Sequence, residues 1–132
     1  MKDFTKKRIL IVEDNPTFQK MLKLRLESNG YNVIAVSDGL EGLNTARKER
    51  PDLIILDLML PGMNGHQIAR LLKFDNRFRN IPIIMLTSRD LDEDASLAKQ
   101  CGADAFIVKT TRAAILLDVI RKLLGQEEEV AA

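Results

Sequence analysis

The chain has 132 residues, of which 45% are hydrophobic, which is the size and composition of one globular domain with a single ordinary core. Its 20 Lys and Arg nearly balance 19 Asp and Glu, and the formal net charge of +1 excludes a large field of one sign that would attract nucleic acid or a membrane surface. We predict a soluble cytoplasmic protein, because Cys101 is the only cysteine, the N-terminus lacks the apolar stretch of a secretion signal, and no apolar run approaches the roughly 20 residues of a membrane span.

Five apolar runs of strand length recur along the chain, each followed by a longer stretch with helical spacing. They cover residues 9–12, 33–36, 53–56, 83–86 and 105–108. Strands that are apolar on both faces are typical of a parallel sheet covered by helices on each side, since an antiparallel sheet with one wet face would alternate polar and apolar residues. We therefore predict an α/β fold, with a doubly wound five-stranded parallel sheet and five helices.

The helices have recognisable ends and apolar stripes. Asn15 is expected to cap the first helix, Pro16 suits its first position, and Gly30 ends it. The inward side of this helix is predicted to carry Phe18, Met21, Leu22 and Leu26. We predict one domain over residues 1–126 and a frayed acidic tail over residues 127–132, which have too little apolar content to pack.

Polar side chains follow four of the five predicted strands. Glu13 and Asp14 come after the first strand, Asp57 after the third, Thr87 after the fourth and Lys109 after the fifth. The carboxyl ends of parallel strands meet at one edge of a sheet, where ligands of such folds bind. We therefore expect these side chains to converge.

The converging groups suit phosphoryl transfer. Three carboxylates at one edge repel each other unless a cation lies among them, and oxygen ligands together with room for a phosphate favour Mg²⁺. The Lys109 ammonium and the Thr87 hydroxyl would contact phosphoryl oxygens. Asp57 is the predicted nucleophile, because it lies on the middle strand without an adjacent acid, whereas Glu13 and Asp14 form a pair suited to gripping the ion. The pattern predicts a phosphorylation switch with Asp57 as the acceptor.

Five stretches in order and at characteristic spacing resemble the receiver domain of bacterial two-component response regulators. They cover residues 9–14, 52–57, 60–65, 82–88 and 102–109. The resemblance implies a flavodoxin-like sheet in the order 2-1-3-4-5. It also implies that a histidine kinase or a histidine phosphotransfer protein donates the phosphoryl group to Asp57, within a phosphorelay.

The resemblance further implies a role for each site residue. Mg²⁺ would be held by Asp14, Asp57 and the backbone carbonyl of Met59, with Glu13 acting mostly through a metal-bound water. The protein would be a phosphoacceptor regulator that assists its own Mg²⁺-dependent phosphorylation and dephosphorylation, and not an enzyme acting on other molecules.

A switching mechanism is also implied by the resemblance. Thr87 would move toward the phosphate, and Phe106 would turn into the space that Thr87 leaves. A downstream protein would then read the surface made of the fourth helix, the fifth strand and the fifth helix. Because the chain ends after the fifth helix, we expect a stand-alone protein that binds another protein and makes no direct contact with nucleic acid or membrane.

One position departs from the family pattern. The family usually has proline after the lysine, joined by a cis bond, whereas Thr110 follows Lys109 here. A cis bond before a non-proline residue costs about 2.5 to 4 kcal/mol, so either the loop bears that cost or the bond is trans. The position of Lys109 depends on which of these holds.

Two other functions compete with the phosphorylation switch. The first is a receiver-like module that binds its partner without being phosphorylated, which Thr110 favours slightly and the complete acidic set disfavours. The second is a flavin-binding electron carrier of the same topology. Its phosphate loop after the first strand is missing here, and Glu13 and Asp14 would repel the phosphate of the cofactor.

Overall fold

Strands and helices alternate along the whole described part of the chain. The computed structural model describes residues 6–89 and 91–126, so the predicted acidic tail at residues 127–132 lies outside the described residues. In order, the elements are β1 (Arg8–Val12), α1 (Pro16–Ser28), β2 (Asn32–Val36), α2 (Gly39–Glu49), β3 (Leu53–Asp57), α3 (Gly65–Lys73), β4 (Ile83–Thr87), α4 (Asp92–Gln100), β5 (Ala105–Val108) and α5 (Ala113–Leu123).

The five strands form one parallel sheet in the order β2-β1-β3-β4-β5, which confirms the predicted fold. Each predicted apolar run matches a strand to within one residue at either end. At the far side of the sheet, Thr87 at the end of β4 lies opposite Val108 at the end of β5. All five carboxyl ends therefore lie along one rim, which we call the carboxyl rim.

Helices cover both faces of the sheet, and successive residues of each strand point to opposite sides. In β3, Leu53 and Ile55 pack with α1 and α5, whereas Ile54 and Leu56 pack with α2, α3 and α4. All four side chains are completely buried. Burial of each such side chain contributes about 1.5–3 kcal/mol, so two apolar cores hold the sheet rigid beneath the carboxyl rim.

The predicted inward stripe of α1 is wrong at one position. Leu22 and Leu26 are buried and Phe18 packs against the same core, but Met21 is 46% exposed. The buried stripe follows a four-residue spacing, and Met21 lies about 100° around the helix from Leu22. The apolar face of α1 is therefore narrower than the sequence pattern predicts.

The helix after β1 begins at the cap that the sequence predicts, and the helix after β3 also begins at an asparagine. The Asn15 side chain accepts a hydrogen bond from the backbone of Phe18, and Asn64 forms a reciprocal capping box with Gln67 before α3. These caps set where the chain turns away from the carboxyl rim. Within residues 6–89 and 91–126, no helix has the length and apolar character needed to cross a membrane.

Candidate functional site

Three carboxylates converge at the carboxyl rim, as predicted. Glu13 and Asp14 follow β1, and Asp57 ends β3 beside it. One carboxylate oxygen from each of these residues lies within 4.8 Å of the other two. Glu13 and Asp57 are buried, whereas Asp14 is exposed, so the cluster opens to solvent on the Asp14 side. A cation or a phosphoryl donor could reach it from that side.

Asp57 is held by one contact on each carboxylate oxygen. Its Oδ1 accepts a hydrogen bond from the backbone N–H of Met59 at 3.0 Å, and its Oδ2 accepts one from Lys109 Nζ at 2.8 Å. The loop after Asp57 passes so close that a Cβ on Gly65 would lie 2.2 Å from the Asp57 backbone oxygen. Glycine at position 65 therefore lets α3 begin against the end of β3. The Met59 side chain itself is 62% exposed.

Lys109 follows β5 and reaches across the sheet edge to two carboxylates. Its ammonium forms ion pairs with Asp57 at 2.8 Å and with Glu13 Oε1, and it lies 4.9 Å from the ring centre of Phe18. Burial alone would lower the pKa of Lys109, but its hydrogen bonds to Asp57 and Glu13 outweigh burial and raise the pKa. The ammonium is thus the positive charge of the site.

The structure decides the conformation of the bond that follows Lys109. No cis peptide bond occurs among the described residues, so the Lys109–Thr110 bond is trans. A backbone hydrogen bond from Lys109 N–H to the Thr87 oxygen, at 2.7 Å, joins the ends of β4 and β5. Lys109 therefore reaches Asp57 without the proline that the family pattern has at position 110.

Glu13 is the most deeply buried acid of the cluster. Its Oε2 accepts a hydrogen bond from the backbone of Asn15 at 3.2 Å, while its buried Oε1 faces the Lys109 ammonium without a well-aligned hydrogen bond to any described residue. Burial, followed by the neighbouring Asp57 carboxyl, raises the pKa of Glu13 from 4.5 to about 7, although Lys109 opposes the shift. The single ammonium pairs with two carboxylates, which raises the pKa of Lys109, whereas burial is the main cause of the raised pKa of Glu13.

The raised pKa of Glu13 predicts how stability without metal depends on pH. The unfolded chain releases the Glu13 proton near pH 4.5 and the folded chain only near pH 7. The stabilising contribution of protonated Glu13 to the free energy of unfolding is therefore fully present below about pH 4.5 and is lost as pH rises through about 7. In chelator, we expect the free energy of unfolding of the wild type to fall by about 1–3 kcal/mol relative to Glu13→Gln across this interval.

Urea unfolding of the wild type and of Glu13→Gln at several pH values measures this difference. The glutamine keeps the shape of the protonated acid, so its variant reports the pH dependence of every other group. Parallel curves for the two proteins would show that Glu13 titrates normally in the folded chain.

Thr87 lies at the end of β4 and is 1% exposed. Its Oγ1 accepts a hydrogen bond from the Arg89 backbone N–H at 3.1 Å and donates one to Asp94 Oδ2 at 3.4 Å. Phe106 is half-buried in β5 opposite Met85, and it packs against the core on the side of α2, α3 and α4. Because side chains alternate along a strand, Thr87 and Phe106 lie on the same face of the sheet.

The sequence did not predict that three further residues lie at the site. Asn15 was recognised only as a helix cap and Phe18 only as a core residue, and Asp94 was not singled out. Asp94 is 2% exposed although it stands in the acidic first turn of α4. An acid among acids at a helix start looks solvated in the sequence, so only packing distinguishes it from Asp92 and Glu93.

The donor set fits a divalent cation. Two of the three clustered carboxylates are buried, and one buried oxygen, Glu13 Oε1, lacks a well-aligned hydrogen bond with the described residues. Oxygen ligands of this kind are those that Mg²⁺ prefers, and the exposed Asp14 leaves positions for water or phosphate oxygens. The protein therefore belongs to the class of doubly wound α/β domains that carry an acidic site at the carboxyl rim. A lysine and a threonine flank that site.

Comparison with known proteins identifies the family. The family model described as "Response regulator receiver domain" matches residues 9–121. DNA-binding response regulator MtrA of Mycolicibacterium smegmatis is 37% identical over 130 residues, which cover 98% of this chain and 56% of MtrA. Polar-differentiation response regulator DivK of Brucella anthropi is 36% identical over 119 residues, which cover 90% of this chain and 97% of DivK. The chain thus spans little more than half of MtrA and nearly all of DivK.

A solved structure extends the comparison to the site. The receiver domain of sensor histidine kinase PA1611 from Pseudomonas aeruginosa PAO1 superimposes with a TM-score of 0.85 at 32% identity, covering 91% of this chain and 98% of that chain. That structure has a magnesium ion coordinated in the active site cleft. The chain described here belongs to the response regulator receiver domain family, whose function is that of a phosphorylation-dependent switch in two-component systems.

Proposed function

We propose that this chain accepts a phosphoryl group on Asp57 from a phosphohistidine of a histidine kinase or a histidine phosphotransfer protein. The observation that carries the proposal is the Lys109 ammonium, which lies 2.8 Å from Asp57 Oδ2 within a cluster of three carboxylates. This arrangement places one positive charge directly beside the acid that ends the middle strand. It supplies the positioning and the positive charge that phosphoryl transfer requires.

In the transfer step, an Asp57 carboxylate oxygen forms a bond to phosphorus while the phosphorus–nitrogen bond of the donor breaks. The electron pair of the broken bond stays on the imidazole nitrogen, which then takes up a proton. The Lys109 ammonium then donates a hydrogen bond to a phosphoryl oxygen instead of to Asp57. The Thr87 hydroxyl is the second donor to the phosphoryl oxygens. Hydrolysis of the acyl phosphate by water would return Asp57 to its original state.

Mg²⁺ is the cofactor of this proposal. Asp14, Asp57 and the Met59 carbonyl would hold the ion, with Glu13 acting through a bound water. When bound, the ion would neutralise the clustered carboxylates and the incoming phosphoryl charge. The exposed position of Asp14 and the buried Glu13 Oε1, which pairs with Lys109 but lacks a well-aligned hydrogen bond to the described residues, support this ligand set.

The output of the proposed switch is a protein contact. We assign it to the surface of α4, β5 and α5, where Leu97 and Ile115 are 37% and 51% exposed. Beneath this surface, Thr87 of β4 and Phe106 of β5 share one face of the sheet. The net charge of +1 favours a protein partner over nucleic acid or membrane. The protein would work in the cytoplasm, since the free buried thiol of Cys101 suits a reducing compartment. It would be a regulator that assists its own phosphorylation.

Acetyl phosphate and Mg²⁺ provide the test of this function. Incubation with both should add one phosphoryl group to the intact protein, as seen by mass spectrometry under conditions that preserve acyl phosphates. The same mixture with a chelator should leave the mass unchanged. An unchanged mass with Mg²⁺ present would instead support a receiver-like module that binds its partner without phosphorylation.

A further inference from the structure

Helix α4 is held to the domain by an unusual pair of buried residues. Of its nine residues only Asp94 and Ala98 are buried, and among the described residues no side chain caps its N-terminus at Leu91. A buried carboxylate is costly unless it is paired, and an alanine buries little apolar surface. The N-terminal half of α4 therefore depends on the polar partners of Asp94.

Both partners of Asp94 come from the end of β4. Asp94 Oδ2 accepts a hydrogen bond from the Thr87 hydroxyl at 3.4 Å, and Asp94 Oδ1 pairs with Arg89 Nη2 at 3.0 Å. A threonine hydroxyl has a single proton to donate. While that proton is directed to Asp94, Thr87 has none to offer to an oxygen on Asp57.

The guanidinium of Arg89, like the Thr87 hydroxyl, is held by the Asp94 carboxylate. Its side chain is 52% exposed, whereas that of Asp94 is 3% exposed, so Arg89 is the partner with freedom to move. An acyl phosphate on Asp57 would carry about −1.5 to −2 charges in place of the single charge of the carboxylate, and it would bring strong acceptor oxygens to the same rim. Thr87 and Arg89 could then donate to either of two anions, the Asp94 carboxylate or the phosphoryl group.

We infer that Asp94 is the positioning residue that holds Thr87 and Arg89 in the unphosphorylated arrangement and competes with the phosphoryl group for both. This inference rests on the proposed phosphorylation of Asp57. It assigns to α4 a direct link to the site, because each donor that turns to the phosphoryl group leaves Asp94. A buried carboxylate without partners is strongly unfavourable, so the first turn of α4 must move to bring Asp94 into water.

Affinity for beryllofluoride, a mimic of the phosphoryl group, tests the competition in the presence of Mg²⁺. Asp94→Asn keeps the shape of the side chain but removes the charge that pairs with Arg89. Loss of this competitor should tighten beryllofluoride binding about ten-fold, which is about 1.4 kcal/mol. Asp92→Asn, two residues earlier on the exposed side of α4, makes the same chemical change and should leave the affinity within about two-fold.

The direction of the change separates this role from a merely structural one. If Asp94 only stabilised α4, its replacement would weaken beryllofluoride binding or leave it unchanged, and either result would overturn the inference. Asp94→Ser, which also removes the carboxylate, should show the same gain and serves if the asparagine variant fails to fold. If the unaltered protein does not bind beryllofluoride, the proposed phosphorylation fails as well, so the two failures are distinguishable.

Hydrogen exchange of the unaltered protein tests the link to α4 without any substitution. The backbone N–H groups of Asp94 and Ala95 both donate to the Leu91 oxygen in the first turn of α4. With Mg²⁺ and beryllofluoride bound, their exchange should become about ten-fold faster or more, while amides in the middle of α1 keep their protection. Unchanged or slower exchange in the first turn of α4 would contradict the release of Asp94.

Discussion

Asp57→Asn is expected to abolish phosphorylation by acetyl phosphate and by phosphorylated histidine kinases while leaving the fold intact. An amide is not a nucleophile comparable to a carboxylate, so the phosphorus–oxygen bond cannot form at this position. The amide oxygen can still accept the hydrogen bond that Met59 N–H donates to Asp57 at 3.0 Å. Mass spectrometry should find the variant unmodified after the wild type has reached full phosphorylation.

Asp52→Asn is the matched control for this variant. Asp52 precedes the same strand at its opposite end, where its carboxylate accepts a hydrogen bond from the Arg8 backbone at 2.7 Å. The substitution makes the same chemical change away from the carboxyl rim and should leave the extent of phosphorylation unaltered. Uptake of a phosphoryl group by Asp57→Asn at the wild-type rate would show that a different residue is the acceptor.

Lys109→Met should slow phosphorylation by about 10²–10³-fold. Loss of one preorganised group that stabilises charge in a transition state typically has an effect of this size. Lys109 is the side chain that forms ion pairs with both Glu13 and Asp57, so its removal leaves two carboxyl groups beside each other. The rate of modification by acetyl phosphate at saturating Mg²⁺ measures the effect. Lys122→Met, on the exposed side of α5, should react at the wild-type rate.

The same substitution should destabilise the protein when Mg²⁺ is removed. Breaking a buried ion pair by removing one partner costs about 3–5 kcal/mol, and the Asp14 side of this cluster is open to water, so we expect a loss near the lower end. Adding Glu13→Gln to Lys109→Met should recover stability without recovering the rate of phosphorylation. Recovery of both properties would mean that Lys109 acts only by neutralising Glu13.

Much of the site can be predicted from the sequence, because the ends of the apolar runs mark the ends of the strands. Runs that are apolar on both faces are typical of a covered parallel sheet, and parallel strands bring their carboxyl ends to one rim. The convergence of Glu13, Asp14 and Asp57 follows from these two facts. Periodicity is a local property, so the strands agree with prediction to within one residue.

What the tertiary structure alone decided are the contacts between distant segments. Lys109 and Asp57 are 52 residues apart, and the trans bond before Thr110 still allows their hydrogen bond because β5 lies in place beside β4. The exposure of Met21 and the burial of Asp94 likewise depend on how closely a helix lies against the sheet. Sequence by itself determined which side chains stand at the rim, because strand periodicity is local. Which of them pair depends on packing between segments far apart in the chain, and no local pattern encodes that.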